Sequence, residues 1–281
     1  MRRKKGILII GDCLSSITKI EKDSIQAVIT SPPYWGLRNY DDENQIGQEE
    51  TPEEFVSKLV QIFGEIKRVL KDDGTVWVNI GDTYFGAKGG HWDSENSLNN
   101  LESGTQFRMH RKAPPKHKYL KTKDLAGVPW MFAMEMQKNG WYLRQDIIWH
   151  KAVPVPEAVN DRFQKSHEHI FLFSKKKKYY FDVEAVSVPK KEGEGWVRRH
   201  DVWDIATSNY HGAHFAVFPQ KIPELCIKAS TKENDTVLDP FMGSGTTAYV
   251  AQRIKRKWVG IELNPEYAKI IKDRTAQKEL F

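Results

Sequence analysis

The chain has few cysteines, no long apolar run and no histidine spacing typical of a metal site. Its 281 residues include two cysteines, Cys13 and Cys226, which excludes a disulfide framework and fits a reducing compartment. No apolar stretch approaches the ~20 residues that cross a bilayer, so we expect no membrane association. The 9 histidines are scattered, without a cysteine pair or a His-x-x-x-His spacing, so we expect no metal.

Charge of neither sign dominates the composition. Lysine and arginine number 43 against 37 for aspartate and glutamate, a formal net charge of +6. This modest basic excess fits a polyanionic partner, and it equally fits simple solubility. The chain is long enough for one large domain with a substantial core, and we expect a single domain over residues 1–281.

Apolar runs alternate with segments of helical period along the chain. The predicted strands are 7–10, 25–29, 75–80, 141–149, 169–173 and, as a hairpin-like extension, 178–181. The predicted helices are 14–20, 52–69 with Thr51 as its N-cap, 124–138, 223–229 and a last helix opened by Pro265. This alternation predicts an α/β fold with a largely parallel sheet.

Residues 30–35, Thr-Ser-Pro-Pro-Tyr-Trp, form a stiff turn after the second predicted strand. Each proline holds φ near about −65° and lacks an N–H, so the turn presents carbonyl groups. A serine hydroxyl, carbonyl acceptors and an aromatic face suit a flat heterocycle with an exocyclic amine. The amine donates to the acceptors while the ring stacks on Tyr34. Taken alone, the segment also fits an ordinary Pro-Pro turn with core aromatics.

A second candidate site lies at residues 236–247, Thr-Val-Leu-Asp-Pro-Phe-Met-Gly-Ser-Gly-Thr-Thr, where a strand leads through a Gly-rich turn into a helix. Glycines let the backbone approach a ligand, and a helix N-terminus favours an anionic group. Glu262 ends the next strand roughly 20 residues later, the spacing of an acid that binds ribose hydroxyls. Ala248 replaces the third glycine of G-x-G-x-x-G, and no Gly-Lys-Ser/Thr follows, which disfavours a nucleoside triphosphate.

Together, Ser-Pro-Pro-Tyr and the downstream Asp-Pro-Phe-x-Gly-Ser-Gly-Thr-Thr closely resemble the S-adenosylmethionine-dependent DNA amino-methyltransferases. The order, with the catalytic motif first, matches the permuted group called β-class. The resemblance implies a Rossmann-like methyltransferase fold, with a mostly parallel sheet, helices on both faces and loop insertions for DNA recognition. It covers most of the chain except 84–120 and 183–210, which are the candidate insertions.

The same resemblance implies several properties of the whole protein. It implies double-stranded DNA as the partner, with a companion restriction endonuclease as a further expected partner. It also implies a cytoplasmic, prokaryotic or phage-encoded protein that is a monomer or a homodimer.

The resemblance also implies roles for particular residues. In that family the Gly-rich turn holds the methionine end of S-adenosyl-L-methionine, and the acid matching Glu262 holds the ribose. An acid at the position of Asp12 is expected near the adenine, and 214–219 resembles a cofactor-side segment. The expected cofactor-binding residues are Asp12, Cys13, Phe218, Asp239, Pro240, Phe241, Gly243, Ser244, Gly245, Thr246, Glu262 and Leu263.

The expected catalytic residues are Ser31, Pro32, Pro33 and Tyr34. Acceptors at Ser31 and the Pro32 carbonyl would draw the amine hydrogens out of the ring plane, returning lone-pair density to nitrogen. Tyr34 would stack on a base flipped out of the duplex. In the family that the chain resembles, a serine at the position of Ser31 is associated mainly with cytosine N4, and aspartate or asparagine with adenine N6. We therefore expect cytosine N4, with adenine N6 as the alternative and a catalytically inactive DNA-binding regulator as a second class.

The insertion 84–120 carries a basic run interleaved with Phe107 and Tyr119. Such a segment suits contact with a phosphate backbone, and it also fits a solvated loop. The expected DNA-binding residues are Arg38, Arg108, Arg111, Lys116 and Lys118.

Overall fold

The computed structural model describes residues 6–36, 45–86, 117–154, 156–157, 159–207 and 219–276. The strands are β1 (Gly6–Ile10), β2 (Ile25–Thr30), β3 (Leu70–Ile80), β4 (Tyr142–His150), β5 (His167–Ser174), β6 (Val188–Pro189), β7 (Trp196–Val197), β8 (Val202–Asp204), β9 (Thr236–Asp239) and β10 (Lys257–Glu262). The helices are α1 (Cys13–Ile17), α2 (Pro52–Val69), α3 (Val128–Lys138), α4 (Lys221–Ser230), α5 (Thr246–Arg253) and α6 (Tyr267–Ala276).

Within the described residues, eight strands form the main sheet, in the order β1-β10-β9-β2-β3-β5-β4-β8. The neighbours from β1 to β3 pair in parallel, whereas β5 pairs antiparallel with both β3 and β4. One apolar core packs α1, α2 and α3 against one face, and a second packs α4, α5 and α6 against the other. The predicted α/β fold, with a mostly parallel sheet covered on both faces, is confirmed.

Helix α2 begins where its sequence predicts. The Thr51 hydroxyl accepts from Glu54 N at 3.2 Å, and the Glu54 carboxylate accepts from Thr51 N, so the two residues form a capping box ahead of Pro52. Phe55, Leu59 and other apolar residues at helical spacing are fully buried. The helix therefore covers its face of the sheet through one apolar stripe.

Several sequence predictions differ from the structure. Strand β3 begins at Leu70 and not at residue 75, and α1 ends at Ile17 and not at residue 20. The helix expected from residue 124 begins at Val128, because Pro129 falls in the first turn, where a missing N–H is tolerated. Residues 178–181 are not a strand, and Tyr180 N instead donates to Asp73 O at 2.9 Å. The segment 183–210, expected as a loop insertion, contains the β6–β7 hairpin and β8, which extends the main sheet beside β4.

The carboxyl ends of five neighbouring strands define one edge of the sheet. Here β1, β10, β9, β2 and β3 all end on the same side. In open α/β sheets ligands bind at this edge, since the loops that leave the strands converge there. The Ser-Pro-Pro-Tyr turn and the Gly-rich turn both leave the sheet at this edge.

Candidate active site

The Gly-rich turn connects β9 to α5. Gly243 and Gly245 have φ of +52° and +82°, a left-handed conformation that favours glycine. A Cβ at Gly245 would lie 3.2 Å from Ile271 Cγ1 on α6. Position 243 therefore needs glycine for its backbone conformation. Position 245 needs glycine for its backbone conformation and for the close approach of α6.

Glu262 ends β10 and reaches the same turn. Its Oε2 accepts from Gly243 N at 2.7 Å, and its Oε1 accepts from Asn264 N at 2.9 Å. Burial raises the pKa of Glu262, and these backbone hydrogen bonds oppose that rise. A carboxylate offers about four acceptor positions, and the backbone N–H groups of Gly243, Asn264 and Leu263 bind it, so acceptor capacity remains for a hydroxyl group of a ligand. Leu263 follows and is partly buried.

The segment after β1 lies next to Glu262. Gly11 N donates to the Glu262 carbonyl at 2.9 Å, and Asp12 Oδ1 accepts from Ser15 N at 2.8 Å as the cap of α1. Cys13 is buried, and burial, reinforced by Asp12 and Asp239, raises the pKa of its thiol. A protonated, buried thiol is a poor nucleophile, so Cys13 contributes packing beside Asp12.

Asp239 connects the two candidate motifs. Its Oδ1 accepts from Thr30 Oγ1 at 2.7 Å and from Phe241 N at 3.1 Å, and its Oδ2 accepts from Thr247 Oγ1 at 2.7 Å. Burial raises the pKa of Asp239 to about 6. Because Thr30 immediately precedes Ser31, this buried carboxyl links the start of the Ser-Pro-Pro-Tyr turn directly to the Gly-rich turn.

Other residues of the Gly-rich segment have partners that shape the turn. Arg274 of α6 is buried and donates to the Ser244 carbonyl, to Ser244 Oγ at 3.0 Å and to Thr246 Oγ1 at 3.1 Å. Pro240 is buried, and Phe241 is partly buried against the core beneath α1 and α2. The side chains of Ser244 and Thr246 therefore hold the turn to α6, and their contact with a cofactor remains a prediction.

The Ser-Pro-Pro-Tyr turn is partly accessible. Pro32 is buried, whereas Ser31, Pro33 and Tyr34 are half-buried. Trp35 is buried in the core, where its Nε1 donates to the Glu49 carbonyl at 3.0 Å. The two aromatic residues of the motif thus differ, since Trp35 anchors the turn and Tyr34 remains accessible.

Sequence reasoning missed a polar network around Tyr34. Tyr34 Oη donates to Glu168 Oε2 at 2.5 Å, and Asn79 Nδ2 donates to Tyr34 Oη and to Glu168 Oε2, both at 2.9 Å. Lys151 Nζ donates to Glu168 Oε1 at 2.5 Å, and Asn79 Nδ2 reaches Ser31 Oγ at 3.4 Å. A carboxylate inside the apolar strand β5 was the one visible signal in the sequence.

Glu168 is ionised despite its burial. The residue is 8% exposed, and burial alone would raise its pKa. The charge of Lys151 and hydrogen bonds from Lys151, Tyr34 and Asn79 outweigh burial and hold the pKa of Glu168 below its usual value. A negative charge is thus maintained next to the Tyr34 hydroxyl.

Several predicted site residues lie outside the described residues: Phe218, Arg38, Arg108, Arg111 and Lys116. Lys118 is exposed, and its neighbours His117 and Tyr119 both bind Glu53 of α2, His117 Nε2 at 3.0 Å and Tyr119 through its hydroxyl. This end of the basic run is therefore anchored to the domain. Within the described ranges, no cluster of three acidic, histidine or cysteine side chains could hold a metal ion, and no helix is long and apolar enough to cross a membrane.

Sequence comparison shows which known proteins the chain resembles. Residues 25–273 match the N6/N4 methyltransferase family profile, described as DNA methylase. The chain is 47% identical over 269 residues to Type II methyltransferase M.Cfr9I of Citrobacter freundii, covering 95% of this chain and 86% of that protein. It is 44% identical over 272 residues to Type II methyltransferase M.SmaI of Serratia marcescens, covering 96% and 91%.

Solved structures share the fold. The PvuII DNA methyltransferase, described as cytosine-N4-specific, matches with a TM-score of 0.73 at 24% identity, over 99% of this chain and 89% of that chain. A Thermus thermophilus protein solved with S-adenosyl-L-methionine matches with a TM-score of 0.64 at 23% identity, over 96% of this chain and 94% of that chain. This chain therefore belongs to the family of S-adenosyl-L-methionine-dependent DNA methylases that methylate the N6 amine of adenine or the N4 amine of cytosine.

Proposed function

We propose that this protein transfers the methyl group of S-adenosyl-L-methionine to the N4 amine of a flipped cytosine in double-stranded DNA. The observation that carries the proposal is the buried bridge from Asp239 to Thr30, with an Oγ1–Oδ1 distance of 2.7 Å. It joins the Gly-rich turn to the turn that bears Ser31 and Tyr34. A cofactor on one turn and a base on the other would therefore be held in a defined relative position, which is the main requirement for methyl transfer.

The residues at the strand ends fit the cofactor. A Cβ at Gly243 would meet no atom closer than 4.0 Å, which leaves room for a ligand along the backbone there, whereas Gly245 is needed for the approach of α6. Glu262 keeps acceptor capacity for ribose hydroxyls, and Asp12 follows Gly11, whose N donates to the Glu262 carbonyl, in position for the adenine. Cys13, Phe218, Asp239, Pro240, Phe241, Ser244, Thr246 and Leu263 complete the proposed cofactor site. When bound, the cofactor supplies an electrophilic methyl group on a sulfonium.

The acceptors for the amine lie on the other turn. The Ser31 hydroxyl receives one long hydrogen bond from Asn79, so it can accept a second from the amine, as can the Pro32 carbonyl. Asn79 Oδ1 is buried and has no hydrogen-bond partner among the described residues. Pro33 stiffens the turn, and the Tyr34 ring stacks on the flipped base.

The choice of cytosine rests on Ser31, because serine at this position is associated mainly with cytosine N4. Tritium from labelled S-adenosyl-L-methionine should appear in N4-methylcytosine after plasmid DNA is methylated and hydrolysed. Label in N6-methyladenine would instead establish adenine as the target base. Modification-sensitive sequencing of the same plasmid would give the recognised site, and a companion restriction endonuclease would be expected to cut that site only when it is unmethylated.

Cofactor affinity should depend on the ionisation of Asp239. Its pKa is raised from 3.8 to about 6 in the cofactor-free fold, so ionisation of Asp239 destabilises that fold as the pH rises from 3.8 to about 6, and the penalty is constant at higher pH. A cationic ligand nearby favours the ionised form. We therefore expect affinity for S-adenosyl-L-methionine, measured by calorimetry, to fall by up to about tenfold per pH unit below pH 6.

The Asp239→Asn variant is the control for this pH dependence. It keeps a carbonyl acceptor but cannot ionise, so its affinity should be weaker at pH 7.5 and nearly independent of pH between 5 and 7.5. If the affinity of the wild-type protein did not change across this pH range, Asp239 would not interact with the cationic part of the cofactor.

The basic run should set the salt dependence of DNA binding. Replacing Arg108, Arg111, Lys116 and Lys118 by alanine should weaken binding to all DNA sequences. The log–log salt slope should fall by about one unit for each lost phosphate contact. Arg38 is a further proposed DNA contact.

A matched control removes Lys176, Lys177 and Lys178, which are exposed at the end of β5 on the opposite edge of the sheet. This variant should retain the wild-type slope in fluorescence-anisotropy titrations. If the variant with all four basic residues of the run replaced by alanine kept the wild-type salt slope and DNA affinity, the basic run would be a solvated loop.

A further inference from the structure

The hydroxyl end of Tyr34 is held from two sides. It donates to Glu168 Oε2 at 2.5 Å and accepts from Asn79 Nδ2 at 2.9 Å. Asn79 also binds Glu168 Oε2 at 2.9 Å, so the three groups form a closed triangle. A tyrosine side chain has two torsions, and fixing its oxygen at the far end restricts χ1, whereas rotation about χ2 leaves the oxygen in place because the Cβ–Cγ and Cζ–Oη bonds are collinear.

The charge in this triangle is supported by a lysine. Glu168 lies at the start of β5, and Lys151 directly follows β4, whose end is at the same edge because β4 and β5 are antiparallel. Lys151 Nζ lies 2.5 Å from Glu168 Oε1 and 5.0 Å from the centre of the Trp149 ring. A buried carboxylate is unfavourable without such a partner, so the pair maintains a strong acceptor for the Tyr34 hydroxyl.

The ring of Tyr34 is also restricted along one side, by Gly81. A Cβ at Gly81 would lie 2.7 Å from Tyr34 Cε2 and 3.3 Å from Cδ2 and Cζ. The φ of Gly81 is outside the left-handed region, so its backbone does not require glycine. The close approach of the Tyr34 ring is therefore the physical reason for a glycine at this position.

We propose that Gly81 and Glu168 are positioning residues that clamp Tyr34 as a preformed stacking surface for the flipped base. This Tyr34 clamp consists of Gly81 against the ring and Glu168, supported by Asn79 and Lys151, at the hydroxyl. The inference rests on the proposed function, because the stacking role of Tyr34 belongs to that proposal. It adds two residues, neither of which contacts the base in this role.

A clamp of this kind has a specific consequence for catalysis. Unstacking a base from the duplex is unfavourable, and stacking on an aromatic side chain offsets part of that cost. A ring already held in place gives this stacking without losing side-chain freedom when the base arrives. Disturbing the clamp should therefore reduce turnover through Tyr34 and leave the cofactor site unchanged.

The test is a set of double-mutant cycles. Gly81→Ala and Glu168→Gln are made in the wild-type background and in Tyr34→Ala, and Glu168→Gln also in Tyr34→Phe. Single-turnover methyl transfer is measured with saturating DNA and cofactor, and 2-aminopurine at the target position reports base stacking. Calorimetry of S-adenosyl-L-methionine binding confirms that each variant is folded with an intact cofactor site.

Two substitutions serve as matched controls. Gly64→Ala introduces the same methyl group in α2, where a Cβ would meet nothing within 4 Å. Glu266→Gln removes an exposed carboxylate beyond β10. Both control variants should retain the wild-type rate. A lower rate in Gly81→Ala or Glu168→Gln would then be caused by the location of the substitution next to Tyr34, and not by the chemical change itself.

We expect Gly81→Ala and Glu168→Gln each to lower the single-turnover rate by roughly 10- to 100-fold and to weaken 2-aminopurine quenching. Neither should lower the rate further in Tyr34→Ala, and Glu168→Gln should add little in Tyr34→Phe. If Gly81→Ala and Glu168→Gln lowered the rate equally in the wild-type and Tyr34→Ala backgrounds, or if they had wild-type rates as single variants, the clamp would be overturned. The stacking role of Tyr34 would stand in either case. A wild-type rate in Tyr34→Ala would overturn the stacking role and the clamp together.

Discussion

Ser31→Ala should lower the rate of methyl transfer by roughly 100- to 1000-fold, the usual effect of removing one preorganised hydrogen-bonding group from an active site. The hydroxyl is half-buried, and its hydrogen bond from Asn79 is long at 3.4 Å, so it contributes little to folding. Its loss should therefore appear in single-turnover rates with saturating DNA and cofactor. Calorimetric affinity for S-adenosyl-L-methionine should stay close to wild type.

Tyr34→Ala should lower the rate by roughly 5- to 150-fold, because it removes the stacking surface for the flipped base, a contact typically of about 1–3 kcal/mol. Tyr34→Phe should be milder, since the ring remains. It should not equal wild type, because the buried Glu168 carboxylate then loses the hydroxyl that donates to it at 2.5 Å. Intact turnover in Ser31→Ala or Tyr34→Ala would remove the role proposed for that residue.

Glu262→Ala should weaken binding of S-adenosyl-L-methionine by about 1.5–3 kcal/mol through loss of a charge-assisted contact to the ribose. This corresponds to roughly a 10- to 150-fold higher Kd. The carboxylate also accepts from Gly243 N at 2.7 Å and Asn264 N at 2.9 Å, so the variant loses order in the Gly-rich turn as well. Calorimetry with the purified variant measures the combined effect.

The control for Glu262 is Glu266→Ala, which removes an exposed carboxylate four residues later and should bind the cofactor normally. Glu262→Gln separates charge from geometry, because its amide oxygen can keep one of the two backbone hydrogen bonds. We expect it to lie between wild type and Glu262→Ala. An unchanged Kd in a folded Glu262→Ala protein would falsify the ribose assignment.

The elements of the fold were predictable where local chemistry decides them. The start of α2 follows from Thr51, Pro52 and Glu54, since a capping box and a proline in the first turn are local interactions. Buried strands such as β2 and β10 appear as short apolar runs for the same reason. The boundary of α3 was wrong because apolar period alone does not show whether Pro129 is internal or in the first turn.

Strand β8, within the segment 183–210, could not be predicted from its own residues. Val202–Asp204 is too short to be recognised as a strand from its own residues. It becomes one because Ile148, Trp149 and His150 of β4 present a free edge beside it. Its strand conformation is therefore a property of the sheet and not of the tripeptide.

From the sequence by itself, the family, the α/β class and the two motif segments could be determined, because each depends on residues that are neighbours in the chain. Only the tertiary structure brought Asn79 from β3, Lys151 from the end of β4 and Glu168 from the start of β5 around Tyr34. It also placed Thr30 against Asp239, 209 positions apart in the chain. Strand order and direction decide which distant side chains share an edge of the sheet, and no local pattern encodes that pairing.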